Sequence, residues 1–217
     1  SITIRGKSGA GTDILNANGT NGSKPAHRIF KVTDCDLTLE GLTLKGGMAT
    51  DTETLGGGIY CNNSEKLTIK NCSIQDCTAS SSGGGIYITT GASGQVNSTL
   101  ILKDGARISG NSAKNGGGIA VDSAKVYMEG ATTSIGGAHG DKNIATAYGG
   151  GVYVSDGIFT MSGGIITGND ALKGGGVYGG TKGEIIIKGS SEISENTATM
   201  SGTLAGGGIE SDYKLTI

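Results

Sequence analysis

Apolar and polar residues alternate along this chain in short bursts, and helical spacing is nowhere sustained. One burst, built around an apolar-x-apolar triplet, recurs as ITI at Ile2, LTL at Leu37, LTI at Leu67, LIL at Leu100, VYM at Val126, FTM at Phe159, III at Ile185 and LTI at Leu215. A second opens with three glycines, as GGGIYC, GGGIYI, GGGIAV, GGGVYV, GGGVYG and GGGIES, starting at Gly56, Gly83, Gly116, Gly149, Gly174 and Gly206. These starts are 27, 33, 33, 25 and 32 residues apart. A third sets an aliphatic residue three positions before Asn and an Ala two positions after it: Ile108, Asn111, Ala113; Ile166, Asn169, Ala171; Ile193, Asn196, Ala198. Asn143 with Ala145 follows a longer insertion, and Cys77 with Ala79 and Gly47 with Ala49 take the same places more weakly. The order of the three phrases never changes.

Alternation over a few residues, bounded by Gly, Asn, Ser or Asp, is the pattern of half-buried strands. Three such strands in an elastic period near thirty predict an all-β chain, a right-handed single-stranded parallel β-helix of about seven coils with three short strands per coil. Residues 1–217 then form a single domain. With strands about 4.8 Å apart, seven coils make a rod roughly 34 Å long. Extra residues at a corner leave strand register intact, which accounts for the variable spacing.

Register assigns a role to each phrase. Ile59, Ile86, Ile119, Val152, Val177 and Ile209 face the core, and the GGG before them is a tight corner. Facing outward beside them are Tyr60, Tyr87, Ala120, Tyr153, Tyr178 and Glu210. The four tyrosines form a stripe, which is either a stacked face of the rod or a ligand surface, roofed or not by the insertions Met48 to Leu55, Thr89 to Thr99 and Gly136 to Tyr148. Rigid amphipathic rings suit glycan and protein surfaces alike. Asn111, Asn143, Asn169 and Asn196 are expected to form a structural ladder of amides hydrogen-bonded up and down the stack.

Composition narrows the function. Glycine is 43 of 217 residues without a G-X-Y period, which excludes collagen. A formal charge of −2 with no basic block disfavours nucleic acid, and no apolar run is long enough for a membrane-spanning helix. The N-terminal SITIRGKSG lacks the features of a secretion signal. Both ends stop at the same class of strand with no cap, so a longer native chain or end-to-end self-association is expected.

Repeated GGG[IV] together with IxxN resembles the GGA[ILV] and FxxN repeats of the chlamydial polymorphic outer-membrane protein family and of related adhesin-like bacterial surface proteins with the pectate-lyase fold. The resemblance spans about Ile29 to Ile217; Gly stands in place of Ala and Ile in place of Phe. It implies a secreted or surface-displayed passenger, an adhesin or stalk segment of a longer protein, binding glycan or host protein, with no catalytic residue, metal or cofactor to carry over.

The same fold class hosts polysaccharide lyases and glycoside hydrolases, so an enzyme is the first rival. A hydrolase needs paired carboxylates, and the best constellation is Asp34 and Asp36 in TDCDL with His27 and Arg28 upstream. The motifs NTD, DD and GHG are absent, and Asp76, Asp122, Asp156 and Asp170 are scattered one per coil. His139 and Asp141 in GGAHGDKN resemble a single imperfect calcium-repeat motif and read as a loop. Ice binding, the second rival, wants an outward TxT grid, whereas each LTL carries one threonine. Cys35, Cys61, Cys72 and Cys77 all alternate inward, as small buried hydrophobes; Cys72 and Cys77 are placed to form a disulfide only if the bend brings them within range. Zinc is disfavoured, because no second ligand pair has suitable spacing.

Overall fold

The computed structural model describes residues 1–17, 27–64, 66–91, 98–137, 141–200 and 205–217. Among them there is no helix. Short strands pair in parallel, each with its equivalent in the next repeat, to give a β-solenoid of six full turns with a partial turn at either end.

Four columns of residues run along the rod. On the first face Phe30, Ile59, Ile86, Ile119, Val152, Val177 and Ile209 stack in register. On the second, Ile2, Leu37, Leu67, Leu100, Val126, Phe159, Ile185 and Leu215 do the same. Leu15, Leu44, Ile74, Ile108, Ile135, Ile166 and Ile193 make the third. These three columns supply half of one continuous apolar core, and neighbouring inward residues such as Leu39, Ile69, Ile88 and Val121 supply much of the rest. The eight strands of the second phrase are those expected, and the coil count of six falls close to the seven expected.

The third phrase contributes two strands rather than one. Its aliphatic residue lies on the third face, and its alanine lies on a fourth, a sheet of short strands in which Ala49 pairs with Ala79, Ala113 with Ala145 and Ala171 with Ala198. The division falls at the residue before the ladder position, where Asp76, Gly110, Gly168 and Glu195 take positive φ and turn the chain.

The glycine corner has a separate steric reason at each position, seen at Gly83 to Gly85. Gly83 has φ of +69°. A Cβ on Gly84 would lie 2.4 Å from the carbonyl oxygen of Gly117 in the next turn, and one on Gly85 would lie 2.7 Å from that of Gly118. Successive corners stack backbone on backbone, with the Gly84 N–H donating to Gly116 O at 3.1 Å and the Gly117 N–H to Gly149 O at 3.2 Å. No side chain fits between them.

Candidate functional site

The asparagines form a polarised row inside the rod. Nδ2 of Asn111 donates to Oδ1 of Asn143 at 3.0 Å, Asn143 to Asn169 at 2.9 Å, and Asn169 to Asn196 at 2.9 Å. Each amide also donates back to a carbonyl of the preceding turn, those of Ile74, Ile108, Ile135 and Ile166 in order, at 2.9–3.0 Å. Asn111, Asn143 and Asn169 are fully buried. Cys77 holds the next place in the row, its N–H donating to Asn111 Oδ1 at 2.9 Å. The donors and acceptors of these buried amides are thus matched within the rod, as those of buried polar groups generally are.

Tyrosines stand outside the first face, but not as a uniformly open stripe. Tyr60 stacks on Tyr87 with ring centroids 5.8 Å apart, and the Arg28 guanidinium lies 5.0 Å from the Tyr60 ring centre. Tyr153 and Tyr178 stack at 5.9 Å, and a fifth ring, Tyr148, packs at 4.6 Å from Tyr178 and 6.1 Å from Tyr153. Tyr87 and Tyr178 are buried, at 8% and 6% exposure, whereas Tyr60 and Tyr153 are half-buried. The Tyr87 hydroxyl donates to Asp122 at 2.9 Å, and that of Tyr178 donates to Asp212. Burial first, and then the neighbouring carboxylate, push both phenols above their ordinary range. Tyr148 was missed by the sequence reading, although its position is legible: it lies directly before GGG, in register with Asn115 and Lys173.

The acidic constellation is drawn apart into separate contacts. Asp34, at positive φ, accepts from the Asn63 side chain, and Asp36 accepts the Lys66 N–H at 2.9 Å. Arg28 reaches the other way, to Glu53 at 2.8 Å and Leu55 O at 3.0 Å. His27 is exposed. No hydrogen bond or ion pair among the described residues joins Asp34 or Asp36 to His27 or Arg28. Asp141 pairs with Arg107 at 2.8 Å, and His139 lies outside the described residues.

All four cysteines are free thiols, so no disulfide joins Cys72 to Cys77. Their sulfurs are occupied locally, Cys72 Sγ donating to Lys70 O and Cys77 Sγ to Gln75 O, each at 3.3 Å. Cys61, Cys72 and Cys77 are buried in the core, with Cys35 packed against it. Burial pushes the Cys61 and Cys77 thiols up to about 12.

The outer side of the second face is a further surface, on which the sequence reading placed no site. Its middle column runs Thr3, Thr38, Thr68, Ile101, Tyr127, Thr160, Ile186 and Thr216. Charged residues flank it, including Arg5, Glu40, Lys70 and Lys103 in one column and Lys125 in the other. Glu40 bridges Arg5 at 2.7 Å and Lys70 at 3.1 Å, and these contacts, led by the Lys70 hydrogen bond, hold its carboxyl below the usual range.

These features define a parallel β-solenoid with an internal amide row and two patterned outer faces. No protein-family model matches the chain, and no characterised protein or solved structure matches it significantly. The likeness to the polymorphic outer-membrane passengers therefore rests on the repeated phrases alone.

Proposed function

We propose that this chain is a noncatalytic, extracellular segment of a bacterial surface protein, an adhesin or stalk whose sides hold glycan or host-protein surfaces. The observation that carries the reading is the division of labour among its polar side chains. Asp34 and Asp36 bond corner groups, Asp122 and Asp212 bond tyrosine hydroxyls, and the asparagines bond one another. Meanwhile the second face repeats its outward rows over eight strands. Repetition of that kind suits an extended, repetitive ligand. A hydrolase instead needs two carboxylates converging on one bond, which favours binding over catalysis here.

The test is a glycan array and a cell-adhesion assay, run beside incubation with polygalacturonate with and without Ca²⁺. Retention without new reducing ends or unsaturated product is the expected result. Product formation that is lost in Asp34→Ala or Asp36→Ala would overturn the reading. A Tyr60→Ser, Tyr153→Ser double variant reports on the stripe, because it leaves the buried Tyr87 and Tyr178 in place. Binding equal to wild type would remove the stripe as a contact surface.

A further inference from the structure

We infer that the outer side of the second face is a docking strip for a linear acidic polysaccharide, an inference that rests on the glycan-binding reading above. The argument begins with an electrostatic arrangement that the fold itself does not need. Lys70 and Lys103 sit directly opposite each other on adjacent parallel strands, and like charges so placed destabilise a sheet. Glu40 is shared between Arg5 and Lys70, and Lys103 has no such partner. Lys66, Lys103 and Lys125 make no ion pair among the described residues. Lys66 and Lys103, with Arg5 and Lys70, border a shallow trough of about 540 Å³ that runs across the strands from Thr3 to Lys103, and Lys125 stands on the next strand beyond it. Counting Lys125 beside the trough, five cationic side chains stand against the three carboxylates Asp36, Glu40 and Glu129, a local cationic excess on a chain whose formal charge is −2. A local excess of one sign along a groove raises the concentration of the opposite charge beside it.

Between the cations the surface changes character in a way that fits sugar rings. Half-buried Thr38 and then Thr68, only 6% exposed at the wall of the trough, lead in register to half-buried Ile101 and to half-buried Tyr127 on the strand beyond it. Hydroxyls at one end and an aliphatic and an aromatic side chain at the other match the two sides of a pyranose, its hydroxyl rim and its C–H face. Successive strands repeat about every 4.8 Å, a length of the same order as one sugar ring. A polymer with one carboxylate per ring, lying along the rod, would meet a fresh ammonium on each of the three successive strands that carry Lys70, Lys103 and Lys125. Nucleic acid fits less well. Asp36, Glu40 and Glu129 interleave the lysines and oppose any polyanion; a nucleic acid strand, with a phosphate about every 3.4 Å, meets them more often than a polymer with one carboxylate per ring, whose hydroxyls can donate to them.

The experiment measures retardation of the full 217-residue chain in native gels containing polygalacturonate, the same polymer fully methyl-esterified, or poly(dT). The wild type should be retarded by polygalacturonate alone, and the effect should fade as salt is raised to about 0.5 M, where the screening length shrinks to a few ångströms. The variant Lys66→Gln, Lys103→Gln, Lys125→Gln should lose at least about tenfold in affinity, because each change removes an attracting charge. Tyr127→Ser should weaken binding without altering its salt dependence. Circular dichroism checks that the variants fold, and the wild-type salt and ester comparisons stand independently of them. Equal retardation by the esterified polymer, tighter binding of poly(dT), no binding of polygalacturonate, or a folded triple variant that binds like wild type would each overturn the inference. Loss of polygalacturonate binding with array or cell adhesion intact would overturn the strip alone, leaving the adhesin reading in place. Cleavage of the bound polymer would overturn both.

Discussion

Gly151 and Asn169 are fitted to each other across the width of one turn: a Cβ on Gly151 would lie 3.1 Å from Asn169 Nδ2. The same relation joins Gly85 to Asn111, Gly118 to Asn143 and Gly176 to Asn196, at 2.9 to 3.1 Å. The last glycine of the GGG phrase and the asparagine of the IxxN phrase are thus two halves of one packing arrangement. That Cβ on Gly151 would also lie 2.6 Å from Gly176 O, a backbone atom held in the corner stack. Gly151→Ala should therefore cost about 1–3 kcal/mol by overpacking, read from the shift of the urea unfolding midpoint. An unshifted midpoint would mean that the corner yields freely.

Removing one amide from the row leaves its neighbours unpaired. Asn169→Ala strips the acceptor from the N–H and Nδ2 of Asn143 and a donor from Ile135 O. A loss of about 1–3 kcal/mol is expected, the usual result of leaving buried polar groups unsatisfied. Asn196 is only partly buried and ends the row, so Asn196→Ala should cost less. If the two variants unfold at the same midpoint, the row does not act through burial.

The glycine corners, the aliphatic columns and the amide row were legible because each recurs in one register, and a repeated phrase must meet its own copy in the next turn. Other features were not, for physical reasons. The fourth face is built from strands as short as the two residues Thr78–Ala79 and Thr197–Ala198, too brief for alternation to register. Burial of Tyr178 depends on neighbours such as Tyr148, which comes from outside the repeated hexapeptide. The lysines of the second face flank the apolar triplets, and their opposition appears only when strands are set side by side. Asp34 and Asp36 illustrate the converse, since closeness in sequence did not bring them to a shared partner.

The thiols supply a direct check on core packing. With all four free, reductant should leave the unfolding transition unchanged. In the native state a thiol reagent should label Cys35 first, since it alone is not buried, while Cys61, Cys72 and Cys77 should react only after unfolding. Mass spectrometry after timed alkylation would count the modified residues. Early labelling of Cys61 or Cys77 would contradict their place in the core.

Alkaline pH should unfold the protein in two overlapping stages. Cys61 and Cys77 have an ordinary value of 9.0 and are pushed up to about 12 by burial. Between those limits an unfolded chain has released the thiol protons while the fold still holds them. The unfolded state then binds fewer protons, so stability falls as pH rises; below 9.0 the contribution is present in full. Tyr87 and Tyr178 act in the same direction from their ordinary value of 10.0, because burial and the acceptors Asp122 and Asp212 favour the protonated phenol. The melting temperature should therefore be nearly level up to about pH 8.5 and decline with increasing slope above it. Burial raises the Cys72 thiol as well, so a Cys61→Ala, Cys72→Ala, Cys77→Ala variant should start lower but stay level further, its decline beginning only where the tyrosines titrate. Thermal melts followed by circular dichroism at half-unit steps of pH would resolve the two onsets. A wild-type melting temperature still level at about pH 11 would show that these groups are not held protonated by the fold.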